Sequence, residues 1–304
     1  VTASAAEPHA WMPVSGCTSD CIDGDGDRVG WSTVALRVAG ILGVLAAYPA
    51  ALLMTKGRRT RIQRHYARVL LRRLGMRVRV VDLRTDASAD ARFTTSGRGT
   101  LVVAGHVGWT DILAIAAVQP VRFVGRADLA KWPVVGRLAN FTGFVPIDRA
   151  SLRELPGVVA GIGARLDAGE CVAAFPEGTT WCGRSYGPMR PALFQAAVDA
   201  AVPVSPVALR YLGASGEPTT VAGFVGDESM LSSAIRLLRS RGVVAEVVLL
   251  PTEQPGTDRR ELAARCERAV RGYDAPAPIA TALRTAPHRP VVAKRPPQAL
   301  AAAS

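Results

Sequence analysis

The stretch Val102-Val103-Ala104-Gly105-His106-Val107-Gly108-Trp109-Thr110-Asp111 holds an imidazole and a carboxylate five positions apart. On one continuous helix that separation is about 140° of rotation, so the two groups would face apart. They meet only if His106 lies in a loop and Asp111 in the first turn of the helix that follows. The local pattern allows this: a Val-rich run reads as a buried strand broken at Gly105, and Thr110-Asp111 opens an apolar segment that reads as a helix. His106 then stands at a strand's carboxyl end, where open α/β sheets place their chemistry. Such a pair suits general base catalysis, because a neutral imidazole accepts a proton near pH 7 and a buried carboxylate fixes its tautomer. A structural histidine beside an Asp N-cap is the competing reading of the same spacing.

Three later stretches carry further candidates: Gly143-Phe144-Val145-Pro146-Ile147-Asp148-Arg149, Phe175-Pro176-Glu177-Gly178-Thr179-Thr180, and Val202-Pro203-Val204-Ser205-Pro206-Val207-Ala208. In order and separation, the four blocks resemble those of the glycerolipid acyltransferase family, the lysophospholipid acyltransferases of 1-acylglycerol-3-phosphate O-acyltransferase type. The resemblance runs from about residue 100 to 210 and weakens towards 273. It implies transfer of a fatty acyl group from a thioester donor, acyl-CoA or acyl-carrier protein, to the free hydroxyl of a lysophospholipid. The acceptor it points to first is 1-acylglycerol-3-phosphate, giving phosphatidic acid. Another lysolipid, an aminolipid, or a non-catalytic lipid-binding role on the same fold stand as alternatives.

Within that resemblance His106 is the base that takes the acceptor's proton, and Asp111 holds its ring. Of the other histidines, His9 and His288 fall in expected tails and His65 in a basic helix. Arg149 has the planar fork that suits phosphate, and the family's matching arginine is assigned to the acceptor's phosphate. A salt bridge to Asp148 or another carboxylate is the alternative for Arg149. Arg126 stands where many members carry a lysine. Glu177, Gly178 and Thr179 belong to the block that shapes the acceptor site in the family. A carboxylate repels phosphate, so Glu177 is expected to orient an arginine or a backbone turn, with Gly178 permitting close approach. Thr180 departs from the commoner arginine, removing one phosphate-directed charge unless Arg184 or Arg190 replaces it. Pro203 and Pro206 read equally as strand punctuation or as a rigid entry near the acyl chain. No metal and no cofactor are expected beyond the thioester cosubstrate. An α/β-hydrolase would need a Gly-x-Ser-x-Gly elbow, which Gly213-Ala214-Ser215-Gly216 does not supply, and a nucleotide enzyme a Gly-Lys-Ser/Thr loop, which does not occur.

Around these residues the pattern is α/β, a largely parallel sheet with flanking helices, preceded by an N-terminal membrane-associated helical segment. Strands are expected at 78–82, 101–104, 121–125, 143–147, 171–175, 204–209 and 244–250. Helices are expected near 111–118, 129–140, 151–168, 189–200, 229–241 and 258–272. The alternation argues for crossover connections. The catalytic domain would span 76–275, with 1–30 a disordered leader and 276–304 a Pro- and Ala-rich disordered tail.

Residues 31–75 form the expected anchor. Residues 38–54 are uncharged and apolar, at the short end of the about 17 to 25 residues that cross a bilayer, and Pro49 interrupts them. A spanning helix, a helix pair embedded in one leaflet and a buried core helix are all compatible, and the resemblance favours the second. Next comes a basic segment, 56–75, with Ile62, Tyr66, Val69, Leu70 and Leu74 at helical spacing and arginines on the remaining faces. The whole chain carries net charge +12, which calls for an anionic partner. Without base-reading groups or aromatic residues interleaved with its arginines beyond Tyr66, the basic segment fits a membrane surface better than nucleic acid. Positive charge after the anchor would place the catalytic domain on the cytoplasmic face of the cell membrane. The five cysteines make no disulfide framework, and Cys17 and Cys21 lack a second Cys/His pair at metal-ligand spacing, so both read as incidental thiols.

Overall fold

The computed structural model describes residues 12–23, 28–52, 56–85, 91–94, 98–128, 144–148, 151 and 153–273. Seven strands form one sheet: β1 (Met76–Asp82), β2 (Thr100–Ala104), β3 (Arg122–Arg126), β4 (Val145–Ile147), β5 (Cys171–Ala174), β6 (Val204–Leu212) and β7 (Val243–Leu249). Their order is β1-β7-β6-β2-β5-β3-β4, every pair parallel except β6 with β7. The expected largely parallel sheet is present, and β2 lies at its centre with all five residues buried. Continuous Val-rich runs suit such strands, because helices cover both faces.

The helices divide between those faces. α2 (Lys56–Arg73), α3 (Thr110–Val118) and α6 (Met230–Arg239) bury Leu71, Ile115 and Leu237 in one core. α4 (Leu155–Asp167), α5 (Gln195–Asp199) and α7 (Arg259–Tyr273) bury Ile162, Ala196 and Leu262 in the other. Thus β2 leads into a helix on one face while its neighbour β5 leads into a helix on the opposite face. Diverging connections leave a crevice at the carboxyl ends of the two strands. The helix expected at 189–200 is a 3-10 turn, Pro191–Phe194, running into the short α5. The segment 129–140 and the tail from 276 lie outside the described residues.

α1 (Trp31–Leu52) is a single helix that continues through Pro49. Only 6% of its Trp31–Tyr48 window is buried, which excludes the core-helix reading. The window is long and apolar enough to cross a membrane by length and composition. α2 returns antiparallel: Tyr48 meets Tyr66 edge-on at 5.3 Å, Arg73 passes over Gly40, and Arg37 reaches Gly75. Arg37 also donates at 2.8 Å to the carbonyls of Leu238 and Ser240, satisfying acceptors at the end of α6. α2 buries Ala67 and Leu71, with Leu74 buried just beyond its end; of the stripe expected from spacing, Leu74 is thus buried while Ile62, Tyr66, Val69 and Leu70 are half-buried, and α3 packs against α2.

The leader is the main departure. Residues 12–23 are not structureless but pack on the domain. Pro13 lies against Gly178, Ile22 against Gly223, and the Asp23 carboxylate accepts from Thr219 Oγ1 (3.0 Å), the Thr220 backbone N–H (2.7 Å) and Arg184 (2.5 Å). Polar composition suggested disorder, yet three donors to one carboxylate and a small apolar cluster hold the segment in place.

Leu71 and Leu42 separate the two roles of the helical pair. Leu71 is fully buried, so Leu71→Ala should destabilise the fold by about 2–5 kcal/mol, read as a fall in Tm. Leu42 is 61% exposed, and Leu42→Ala should leave Tm unchanged within about 0.5 kcal/mol in detergent.

Candidate active site

His106 sits two residues beyond β2, and Asp111 lies in the first turn of α3. The intervening turn folds the carboxylate back, and Asp111 Oδ2 meets His106 Nδ1 at 2.8 Å. The same oxygen accepts the backbone N–H groups of Val107 (2.7 Å) and Gly108 (3.0 Å). Oδ1 accepts the Tyr211 hydroxyl at 2.5 Å. Asp111 is 0% exposed, and every one of these partners supplies a donor. An ionised carboxylate can only accept, so His106 must carry its proton on Nδ1, which presents the Nε2 lone pair as the basic atom. Since Tyr211 donates to Asp111, the Thr110 hydroxyl 2.9 Å away donates to Tyr211. Burial, and then the charge of Asp111, push the Tyr211 phenol pKa well above its ordinary value, so it remains a donor.

Phe175 stacks on His106 with ring centroids 4.0 Å apart and planes 10° from parallel. The imidazole, its side chain 14% exposed, is therefore held at its Nδ1 edge and on one face. Glu177 supports the loop from below. Its Oε2 accepts the His106 backbone N–H at 2.9 Å, and its Oε1 is paired with Arg271 of α7. Gly105 lets Arg271 and Glu177 approach the backbone closely: a Cβ there would lie 3.2 Å from the Arg271 guanidinium. Gly178 has φ +76°, a left-handed conformation that favours glycine, and turns the chain back after Glu177. Trp181 then donates its backbone N–H to the His106 carbonyl at 2.7 Å.

The other expected residues lie around this centre. Thr179 is half-buried in the turn after Gly178. Thr180, in the position of the commoner arginine, donates its hydroxyl to the Phe224 carbonyl. Arg126 ends β3 on the same sheet edge, 60% exposed at its side chain and paired with Asp128 at 2.7 Å. Arg184 is paired with Asp23, and the Arg190 backbone N–H donates to the Pro176 carbonyl. Pro203 and Pro206 serve the sheet: their carbonyls accept from Leu101 and Leu250, both at 3.2 Å. Arg149 lies outside the described residues. Tyr211, Arg271 and Phe175 escaped sequence reasoning as partners of the site. Phe175 was visible within its block, whereas nothing local marks Tyr211 or Arg271.

The region 82–210 matches the acyltransferase family model. A 1-acyl-sn-glycerol-3-phosphate acyltransferase from Neisseria gonorrhoeae is 33% identical over 175 residues, which cover 57% of this chain and 68% of that protein. The chain belongs to the acyltransferase family. A lyso-ornithine lipid O-acyltransferase from Pseudomonas aeruginosa is 39% identical to this acyltransferase over 172 residues, 56% of this chain and 66% of that one. The matched region thus spans about two thirds of the length of these relatives. The crystal structure of the 1-acyl-sn-glycerophosphate acyltransferase PlsC from Thermotoga maritima shares the fold, with a TM-score of 0.57, 16% identity, and coverage of 81% of this chain and 98% of that one.

Glu177 makes a stability prediction for this acyltransferase. Burial pushes its pKa up, opposed chiefly by the charge of Arg271. In Arg271→Ala that opposition is lost and the folded-state pKa rises further above the unfolded value. A group raised in this way stabilises the fold at low pH and loses that contribution as pH rises through the folded pKa. The variant should therefore be destabilised by about 3–5 kcal/mol at pH 8, the typical cost of an uncompensated buried charge, and by less at pH 5. Thermal melts at both pH values test this, and adding Glu177→Gln should abolish the pH dependence of the difference.

Proposed function

We propose that the protein transfers an acyl group from a thioester to a lysolipid hydroxyl with His106 as general base. The observation that carries the reading is the fully donor-satisfied Asp111, which fixes the His106 tautomer with Nε2 as the basic atom. Nε2 takes the acceptor's hydroxyl proton as the oxygen attacks the thioester carbonyl. The C–S bond then breaks and the leaving sulfur takes the proton back from the imidazolium, so the histidine ends as it began. Asp111 stabilises the charge in between, and no covalent acyl-enzyme is required.

The acceptor we propose first is 1-acylglycerol-3-phosphate, with Arg149 gripping the phosphate, supported by the GFVPIDR block and the Neisseria gonorrhoeae relative. A lyso-ornithine lipid is the second reading. It is favoured by Thr180, which spends its hydroxyl on a backbone carbonyl where an arginine would offer charge, and by the Pseudomonas aeruginosa relative. The donor is acyl-CoA or acyl-carrier protein. The exposed apolar α1 and the arginine-rich α2 support association with an anionic membrane from the cytoplasmic side, each basic residue near such a surface adding about 1 kcal/mol. Sedimentation with anionic liposomes that persists at high salt would distinguish apolar insertion from charge attraction alone.

The deciding assay offers purified protein both lysolipids with both donors. His106→Ala should reduce turnover roughly 10²–10⁴-fold in a chain that still folds, and near wild-type turnover would refute the mechanism. Arg149→Lys should raise KM for lysophosphatidic acid and leave KM for the donor unchanged, because a point charge replaces a planar fork. Unchanged acceptor kinetics in Arg149→Ala, together with turnover of the lyso-ornithine lipid, would decide for the second acceptor.

A further inference from the structure

Cys17, Cys21 and Cys182 are brought together although 165 positions separate the first from the last. Their sulfur atoms all lie within 4.8 Å of one another. Cys17 and Cys182 are buried, Cys21 is partly exposed, and Trp181, Val225 and Ile22 pack around them. Sequence spacing offered only the first two, and the third arrives from the turn that follows the Glu177 block.

The geometry points to a binding site for a thiophilic divalent cation of the zinc class, formed by the three cysteine sulfurs and clasping residues 17–21 to the 181–185 turn beside His106. A tetrahedral site with bonds of about 2.3 Å sets its sulfurs about 3.8 Å apart, so the three need to close by no more than about 1 Å. Cys17 and Cys21 have the C-x3-C spacing of metal ligand pairs, and a 3-10 turn, Ser19–Cys21, aims both at one point.

The surroundings of the sulfurs provide an independent indication. Cys182 receives the Cys17 thiol and the backbone N–H groups of Arg184 and Ser185. Cys17 in turn receives the Cys182 backbone N–H and the Ser15 hydroxyl. Gly183, at φ +93°, makes the turn that points the N–H groups of 184 and 185 back at the sulfur. N–H donors directed at sulfur disperse thiolate charge in metal sites and have little to gain from neutral thiols. Cation binding would release the thiol protons to solvent, and water on the partly exposed Cys21 side would complete the fourth position. The role is structural: Cys182 directly follows Trp181, whose backbone holds the His106 carbonyl.

The test uses the full-length chain, purified in detergent under reducing conditions without chelator. Metal analysis should find about one zinc per chain, falling at least tenfold in Cys17→Ser and Cys182→Ser. Cys266→Ser, at a buried cysteine away from the cluster, should retain the metal. Cobalt(II) added to the metal-free chain should give a thiolate-to-metal charge-transfer band that weakens with each thiol removed. Chelation should lower the Tm of the wild type and leave that of Cys182→Ser unmoved. Should a buried serine prevent folding, Cys21→Ser, at the partly exposed corner, still has to weaken zinc affinity at least tenfold. Failure of the reduced wild-type chain to bind added zinc, zinc retention unaffected by these variants, or a disulfide within the trio that forms with no zinc binding by the reduced protein would overturn the proposal.

Discussion

The structure depends first on keeping one carboxylate out of water. Asp111 is wholly buried, and an isolated charge there would cost several kcal/mol. The penalty is offset by two backbone N–H groups and an imidazole N–H from the turn after β2, and by a phenol from β6. The backbone donors require the tight turn through Gly108, which lies so close to Ala222 that a Cβ would fall 2.4 Å from its carbonyl oxygen. The phenol requires β6 to lie beside β2. The first helical turn of α3 adds a favourable dipole for the negative charge. A site with all its acceptors filled has one tautomer and one ring orientation, so the demand for burial also prepares the base.

A second buried carboxylate repeats the device on the other side of the crevice. Glu177 joins the loop after β5 to the loop after β2 through the His106 backbone, and joins both to α7 through Arg271. Arg271 also lies over the Tyr186 ring at 4.0 Å and donates to the Gly187 carbonyl at 3.2 Å. The arginine whose charge offsets a costly burial thus pins the turn carrying Trp181 and Cys182. The crevice between β2 and β5 is bordered by these two carboxylates, one holding the imidazole side chain and the other its backbone.

The basic surplus is distributed with the same economy. Arg79 and Arg210, on strands flanking β7, pair with the buried Glu246 between them, so part of the positive charge answers a carboxylate of the fold itself. The arginines of α2 line the sides of a helix whose apolar stripe is covered by α3, and they stand beside the largely exposed α1. That placement puts an apolar surface and a cationic surface side by side, the combination that a lipid interface with anionic headgroups satisfies.

By itself the sequence determined what depends on neighbours along the chain. Runs of Val and Ala placed all seven strands to within a few residues, helical spacing placed the helices near 111–118, 151–168, 229–241 and 258–272, and the five-residue separation of His106 and Asp111 implied the loop-then-helix turn that unites them. It also marked Glu177 as an orienting group, though not the groups it orients. Tertiary structure decided whatever rests on strand order and register. Tyr211 reaches Asp111 across 100 positions, Arg271 reaches Glu177 across 94, and Cys182 joins Cys17 and Cys21 only because the β5 loop passes beneath the leader. The leader shows the limit most plainly. Its composition carries no periodic apolar face, and residues 12–23 are held by contacts to residues near 180 and 220 that no local propensity encodes. Local preferences decide which elements form. Only packing decides which donors reach a buried charge, because the partner is selected by the cost of leaving that charge alone.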